Sequence, residues 1–372
     1  LLAAWQAPFD ALGLRVVRNP EAGVELLMPM AKVDYARTEA PFVHYDSVDE
    51  AGMRVLLISQ AGDEATLFGL YDIMQTLQIV PEDGPRERQR RSFTMRGTSP
   101  ELSSYTFAQL RDGAVKGFTL VWREGDPRVM EEVIERMRDS FAVTPAVLPD
   151  SAREGDVSAP RIDLLSGLEI RRPARVRTGF FVDGRGAVLT TAEAVTGCAR
   201  VTLGEDTAVA VAASDPALGL ALLRPEERLS PLSVAAFRSG QPRLRAEVAV
   251  AGYAYGDVLS MPLLTYGTLA DARGLDGEDH VARLDLAAQP GDAGGPVFDG
   301  SGAVLGMLSA AAQDGPRRLP EGVAFAVDVP AIAEFLGASG LSPRAAEPGA
   351  PIPPEALADL AADLAVRVSC WE

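Results

Sequence analysis

Gln289-Pro-Gly-Asp-Ala-Gly-Gly-Pro-Val-Phe298 is followed, after a short turn, by Gly302-Ala-Val-Leu-Gly-Met307. Gly294, Gly295 and Pro296 make a tight turn, and the apolar residues around it read as strand. A Gly-Asp-x-Gly-Gly-Pro loop in an apolar β context rarely arises by chance, so it is a specific signal. Working outward, short strands separated by turns of Gly, Asp and Pro run from about Arg175 to about Val329. That spacing predicts a pair of all-β barrels. Pro330–Leu336 then begins a short helix, Ser342–Pro354 is a Pro-rich connector, and Glu355–Ala365 reads as a further helix. The closing Val-Arg-Val-Ser-Cys-Trp-Glu has the composition of a short strand.

Three segments within Arg175–Leu336 resemble the trypsin-like serine proteases of the HtrA-like kind. Thr178-Gly-Phe-Phe-Val-Asp-Gly-Arg-Gly-Ala-Val-Leu-Thr-Thr-Ala-Glu-Ala-Val195 is similar to the family's small-Gly-Phe, turn, Leu-Thr-x-x-His-Val-Val pattern. Asp215-Pro-Ala-Leu-Gly-Leu-Ala-Leu-Leu223 is similar to Asp-Pro-x-x-Asp-Leu-Ala-Leu-Leu, and residues 289–298 resemble the nucleophile loop Pro-Gly-Asp-Ser-Gly-Gly-Pro. Gly322-Val-Ala-Phe-Ala-Val327 resembles the family's Gly-x-Gly-Phe-Ala-Ile strand. The resemblance implies a trypsin-like double β-barrel and an extracytoplasmic, periplasmic setting. The stretch after Leu336 is too short for the PDZ domain that some of these proteins carry.

At the three positions where the family keeps its triad, this chain has Glu193, Gly219 and Ala293. A triad needs a nucleophilic hydroxyl or thiol, a base that accepts its proton near neutral pH, and a group that fixes the imidazole tautomer. Ala293 offers no hydroxyl, a carboxylate is a far weaker base than imidazole, and Gly219 has no side chain. The expectation is therefore a pseudoprotease, not an enzyme, acting as a protein-binding or scaffolding component. The alternative is a residual hydrolase using other groups, such as Ser309 or Asp285, and a third reading is a ligand sensor using an acidic cleft. The two histidines offer no rescue: His44 is expected at a strand edge and His280 in an exposed turn. Gly291 and Ala293 match the positions whose amides form an oxyanion hole, which needs backbone alone. Glu193 and Asp292 place two carboxylates near the cleft floor, but without further ligands no metal site is expected, and no cofactor is expected.

Two cysteines, Cys198 and Cys370, suit either buried thiols in a cytosolic protein or one disulfide in an exported one. The count leaves this open. A disulfide is the expectation, because a seven-residue terminal segment buries little area and needs tying down; two separately buried thiols are the alternative.

Before the barrels, residues 1–143 read as an α+β sandwich. Strands are expected at Leu14–Arg18, Val24–Met28, Met53–Ser59, Ser92–Arg96, Ser104–Leu110 and Val115–Trp122. One helix is capped by Asp63 and presents Leu67, Leu70, Tyr71, Met74 and Leu77; another follows Asp126-Pro127 and presents Met130, Ile134, Met137 and Phe141. In element order this unit resembles the PsbP-like group of non-catalytic α/β domains. A polar linker is expected at 144–161, the double barrel at 162–341, and a separate tail of connector, helix and strand at 342–372. The formal charge is -17, which excludes a broad nucleic-acid footprint, and Arg86–Arg91 is expected as a solvated loop. No apolar run reaches the roughly 18 residues of a membrane-spanning helix. Leu1–Asp10 lacks the basic region and cleavage site of an intact signal peptide.

Overall fold

The computed structural model of the protein describes residues 9–49, 51–149, 164–165, 167–240, 243–256, 258–275, 277–310, 322–346 and 349–372. The chain forms two compact units, Leu1–Arg171 and Arg172–Glu372.

In the first unit, alternating apolar segments pair into antiparallel ladders. β1 (Leu14–Asn19), β2 (Val24–Pro29) and β10 (Ala142–Val143) form a small sheet ordered β1-β2-β10. A seven-stranded sheet, ordered β3-β4-β5-β9-β8-β7-β6, is built from β3 (Val33–Glu39), β4 (Phe42–Ser47), β5 (Arg54–Ala61), β6 (Arg86–Gln89), β7 (Ser92–Thr98), β8 (Ser103–Arg111) and β9 (Ala114–Trp122). α1 (Glu64–Thr76) starts at Asp63, whose carboxylate accepts from Thr66 N while the Thr66 hydroxyl accepts from Asp63 N. It buries Leu67, Leu70 and Met74. α2 (Pro127–Asp139) is capped by Asp126 and buries Met130, Val133, Ile134 and Met137, each worth about 1.5–3 kcal/mol.

Three expectations about this unit are corrected. β3 and β4 are not among the expected strands; β4 pairs with β5 and β3 with β4, which adds both to the sheet. His44 is not at an edge but lies in β4, between β3 and β5, and is buried. Arg86–Gln89 is no loop: it forms the edge strand β6, and its charged residues are what an unpaired edge tolerates.

The unit also extends beyond the boundary expected at 143. Thr144 N donates to Gly23 O, Leu148 N donates to Ser59 Oγ, and Leu148 is buried in the core. Lys116 Nζ, itself buried, donates to Ala22 O, Ala146 O and Ser59 Oγ, and burial pushes its pKa down to about 8. β11 (Leu164–Leu165) pairs with β12 (Leu168–Glu169), and Leu168 packs with Leu67 and Met74. Leu148, within the expected linker, and Leu168, within the stretch expected to open the double barrel, thus both belong to the cores of this unit. Residues 150–161 of the expected linker lie outside the described residues.

The second unit holds two closed six-stranded barrels. The first is ordered β13-β14-β17-β16-β15-β26: β13 (Arg175–Phe181), β14 (Val188–Thr191), β15 (Arg200–Leu203), β16 (Thr207–Asp215), β17 (Leu220–Pro225) and β26 (Ala365–Trp371). The second comprises β19 (Glu247–Gly252), β20 (Leu263–Asp271), β21 (Val281–Asp285), β22 (Pro296–Asp299), β23 (Val304–Leu308) and β24 (Val323–Asp328), closed by the β22–β23 pairing. β18 (Ala236–Arg238) and β25 (Arg344–Ala346) extend it beside β23. Phe180, Leu189, Leu222, Phe237 and Phe298 share one core with α4 (Val329–Ala338) and α5 (Pro354–Leu364). The tail at 342–372 is therefore no separate piece. Leu357, Ala361 and Leu364 dock α5 in that core, and β26 supplies one stave of the first barrel. The structure is mostly β, as a trypsin-like double barrel requires.

Candidate functional site

β13 organises the candidate site. Its Thr178 donates its backbone N–H to Ala293 O (3.0 Å) and its hydroxyl to Gly291 O (2.7 Å), while Tyr253 N donates to that same hydroxyl (2.9 Å). One side chain thus joins β13, the end of β19 and the turn at residues 290–293. That turn is a short 3-10 helix, Pro290–Asp292. Its glycines have steric reasons. Gly294 has φ +86°, and a Cβ there would run into Thr178 O; a Cβ on Gly291 would run into Tyr253 O.

Ala293 is buried and presents no hydroxyl. Its N–H, one of the two amides expected in an oxyanion hole, is turned toward Pro290 O at 3.4 Å. Asp292 is also buried. Its Oδ2 accepts from Gln289 N at 2.8 Å, Oδ1 has no hydrogen-bond partner, and burial raises its pKa above the usual carboxylate range.

Glu193 lies on α3 (Ala192–Val195), a single turn capped by the Thr191 hydroxyl. The Arg177 guanidinium grips its carboxylate in a fork, Nε to Oε2 at 2.9 Å and an Nη to Oε1 at 2.8 Å. Arg175 adds an ion pair to Oε1 at 3.4 Å, and also donates to Glu193 O and Thr196 O. Glu193 is thus a held, ion-paired carboxylate. Gly219 adopts φ +70°, and its carbonyl accepts from Ala192 N at 3.0 Å, so it fixes the start of α3 by backbone alone. Asp215 accepts from Ala217 N and Leu218 N and so shapes the turn before β17.

Cys198 and Cys370 form the expected disulfide, with Cα atoms 5.3 Å apart. The Glu193 and Asp292 carboxylates are engaged separately, and among the described residues no three His, Cys, Asp or Glu side chains converge as a metal site would need. His280 is half-buried in its turn, where its carbonyl accepts from Asp328 N.

Sequence reasoning missed Arg175, Arg177 and Thr178 as site residues. The alternation of Arg175 and Arg177 along β13 was the available signal for those two, but it does not identify Glu193 as their partner. Also missed was the loop from Tyr253 to Leu263. It leaves the turn at Tyr253, brings Gly256 against Val176 of β13, and exposes Tyr255, Val258, Leu259, Met261 and Leu263.

Residues 177–307 match the family described as Trypsin-like peptidase domain. The chain is 31% identical over 203 residues to Uncharacterized protein y4bJ of Sinorhizobium fredii, a match covering 52% of this chain and 32% of that protein. It is 29% identical over 186 residues to "Putative serine protease HhoA" of Synechocystis sp., covering 47% of this chain and 46% of that protein. The chain thus spans less than half the length of either relative. Among solved structures, it shares 25% identity with the Rv3671c protease of M. tuberculosis in an inactive form, covering 45% of this chain and 87% of that one, with a TM-score of 0.36. The serine endoprotease from Yersinia pestis shares 18% identity over 46% of this chain and 58% of that one, with a TM-score of 0.38. The family match and the Synechocystis relative overturn the expectation that the chain is not an enzyme. They point to trypsin-like serine protease homologues, and none of them shows a loss of activity.

Proposed function

We propose that the second unit is a protein-binding component built on a trypsin-like peptidase domain, receiving a protein partner on the face shared by β13, the Pro290–Ala293 turn and the Tyr253–Leu263 loop. One observation carries this reading: six large apolar side chains stand exposed between Tyr255 and Tyr266, with Tyr255, Val258, Leu259 and Met261 on the loop that leaves the turn at Tyr253, and Leu263 and Tyr266 at the start of β20. Exposed apolar surface concentrated in so short a stretch is costly unless something covers it, and aromatic residues and Met are favoured at protein interfaces.

The disulfide supports an oxidising compartment, and for a bacterial protein that is the periplasm. No described helix is long and apolar enough to cross a membrane. We read the first unit as an α+β sandwich of PsbP-like outline that adds a second rigid surface.

The test is capture of partners from a periplasmic extract by the immobilised chain and by its Tyr255→Asp/Met261→Asp variant. Loss of the captured species in the variant is the expected result, and equal capture by both would sink the reading. The peptidase likeness favours a second reading, hydrolysis by groups other than those at 193, 219 and 293. Cleavage of a generic protein substrate, unchanged in a Ser309→Ala variant, would exclude Ser309 from that role.

A further inference from the structure

The first barrel is closed by the C-terminal strand, and that strand has one covalent tie. β26 lies between β13 and β15, pairing Cys370 with Arg175, Ser369 with Val176, Val368 with Arg177 and Arg367 with Thr178 on one side. On the other side Trp371, Cys370, Ser369 and Val368 pair with Arg200, Val201, Thr202 and Leu203. The residues of β13 held by β26 are the same ones that grip Glu193 and the Pro290–Ala293 turn: Arg175, Arg177 and Thr178. Cys198, the other end of the bond, lies three residues beyond α3, which carries Glu193. The disulfide thus joins both elements of the Glu193 knot from behind.

We propose that the Cys198–Cys370 bond is a redox-operated clamp on this face, and that a dithiol reductant loosens the face by freeing β26. The proposal takes the face to be the binding surface described above. The two sulfurs differ in access: Cys370 is buried, whereas Cys198 is partly exposed. A reductant thiolate attacks Sγ of Cys198, the Sγ–Sγ bond breaks, and Cys370 leaves as a thiolate that takes up a proton. The second thiol of the reductant, as its thiolate, then attacks its own sulfur in the mixed disulfide. Cys198 leaves and is protonated, and the reductant becomes a disulfide. Two electrons pass from the dithiol to the protein, and its two protons end on the cysteines.

With α5 still docked through Leu357, Ala361 and Leu364, only the strand beyond Ala365 is released. β13 then loses its pairing on one side, and the hold of Arg175 and Arg177 on Glu193, and of Thr178 on the turn, relaxes with it.

Amide hydrogen exchange of the full chain, oxidised and after treatment with dithiothreitol, tests this without any partner, so its failure is distinct from failure of the binding reading. We expect exchange to speed up at least tenfold in Val366–Trp371, in Arg175–Thr178 and at Ala293. Leu284 and Phe325 of the second barrel should stay unchanged, and reoxidation should reverse the effect. The Cys198→Ser/Cys370→Ser variant should match the reduced protein without reductant. Faster exchange confined to β26, or a rise across the whole unit, would each overturn the proposal, the first by uncoupling the strand from the face and the second by making the bond a general staple.

Discussion

Asp292 and Gly219 are the two positions where a single residue carries the most physical consequence. Asp292 buries a carboxylate with one unpartnered oxygen, and burial raises its pKa in the folded protein. A raised carboxylate stabilises the fold fully only below the ordinary carboxylate range, and that contribution is lost as pH climbs through the raised value. Asp292→Asn removes this dependence while still offering an oxygen to Gln289 N. Urea unfolding from pH 3.5 to 7 is expected to find the variant gaining on the parent as pH rises; a pH-independent difference would refute this. At Gly219, φ +70° is a conformation that costs an L-residue roughly 1–2 kcal/mol. A Cβ there meets open space, so Gly219→Ala is expected to lower stability by about that amount through backbone strain alone. An unchanged denaturation midpoint would contradict it.

Among the elements, β26 and the exit of the first unit depend most on single attachments. β26 covers the edges of both β13 and β15, and removing it exposes two rows of unpaired backbone groups. Deleting Ala365–Glu372 is therefore expected to destabilise the first barrel and to promote aggregation, measurable by calorimetry and light scattering. The exit segment hangs on Lys116, whose ammonium satisfies Ala22 O, Ala146 O and Ser59 Oγ. Lys116→Met leaves Ala22 O and Ala146 O without this donor, while Ser59 Oγ keeps Leu148 N, at a cost of about 2–4 kcal/mol. The expected outcome is a loss of that size in urea unfolding, with new proteolytic cleavage near residues 144–149. Protection equal to the parent's would show that Leu148 alone holds the segment.

For the whole molecule, the two units have separate cores. Phe9 to Leu168 supply the clusters of the first, and Phe180 to Val368 those of the second. Residues 1–171 and 172–372, expressed separately, are each expected to unfold cooperatively, as followed by near-UV circular dichroism. A cut at 143 instead is expected to leave the first unit unstable, because it removes Leu148 and Leu168 from buried positions.

The double barrel of residues 175–336 was legible in the sequence because its signals are local. The turn of residues 291–296 needs glycine for its own φ and close approaches, and a Gly or Asp turn beside a short apolar run marks a strand without reference to distant residues. The Asp63 and Asp126 caps and the apolar stripes they begin were legible for the same reason. The disulfide is expected because a short terminal segment needs tying down, although the cysteine count leaves two buried thiols open. What the tertiary structure alone decided depends on residues far apart in the chain. His44 is buried because β3 and β5 flank it, and Glu193 is ion-paired because barrel closure sets Arg177 opposite it. The exposure of Tyr255, Val258 and Met261 depends on how the loop before β20 runs over the surface, which their apolar character does not indicate. The stave that closes the first barrel comes from residues 365–371, because hydrogen bonding rewards whichever strand fits between β13 and β15, whatever its place in the chain.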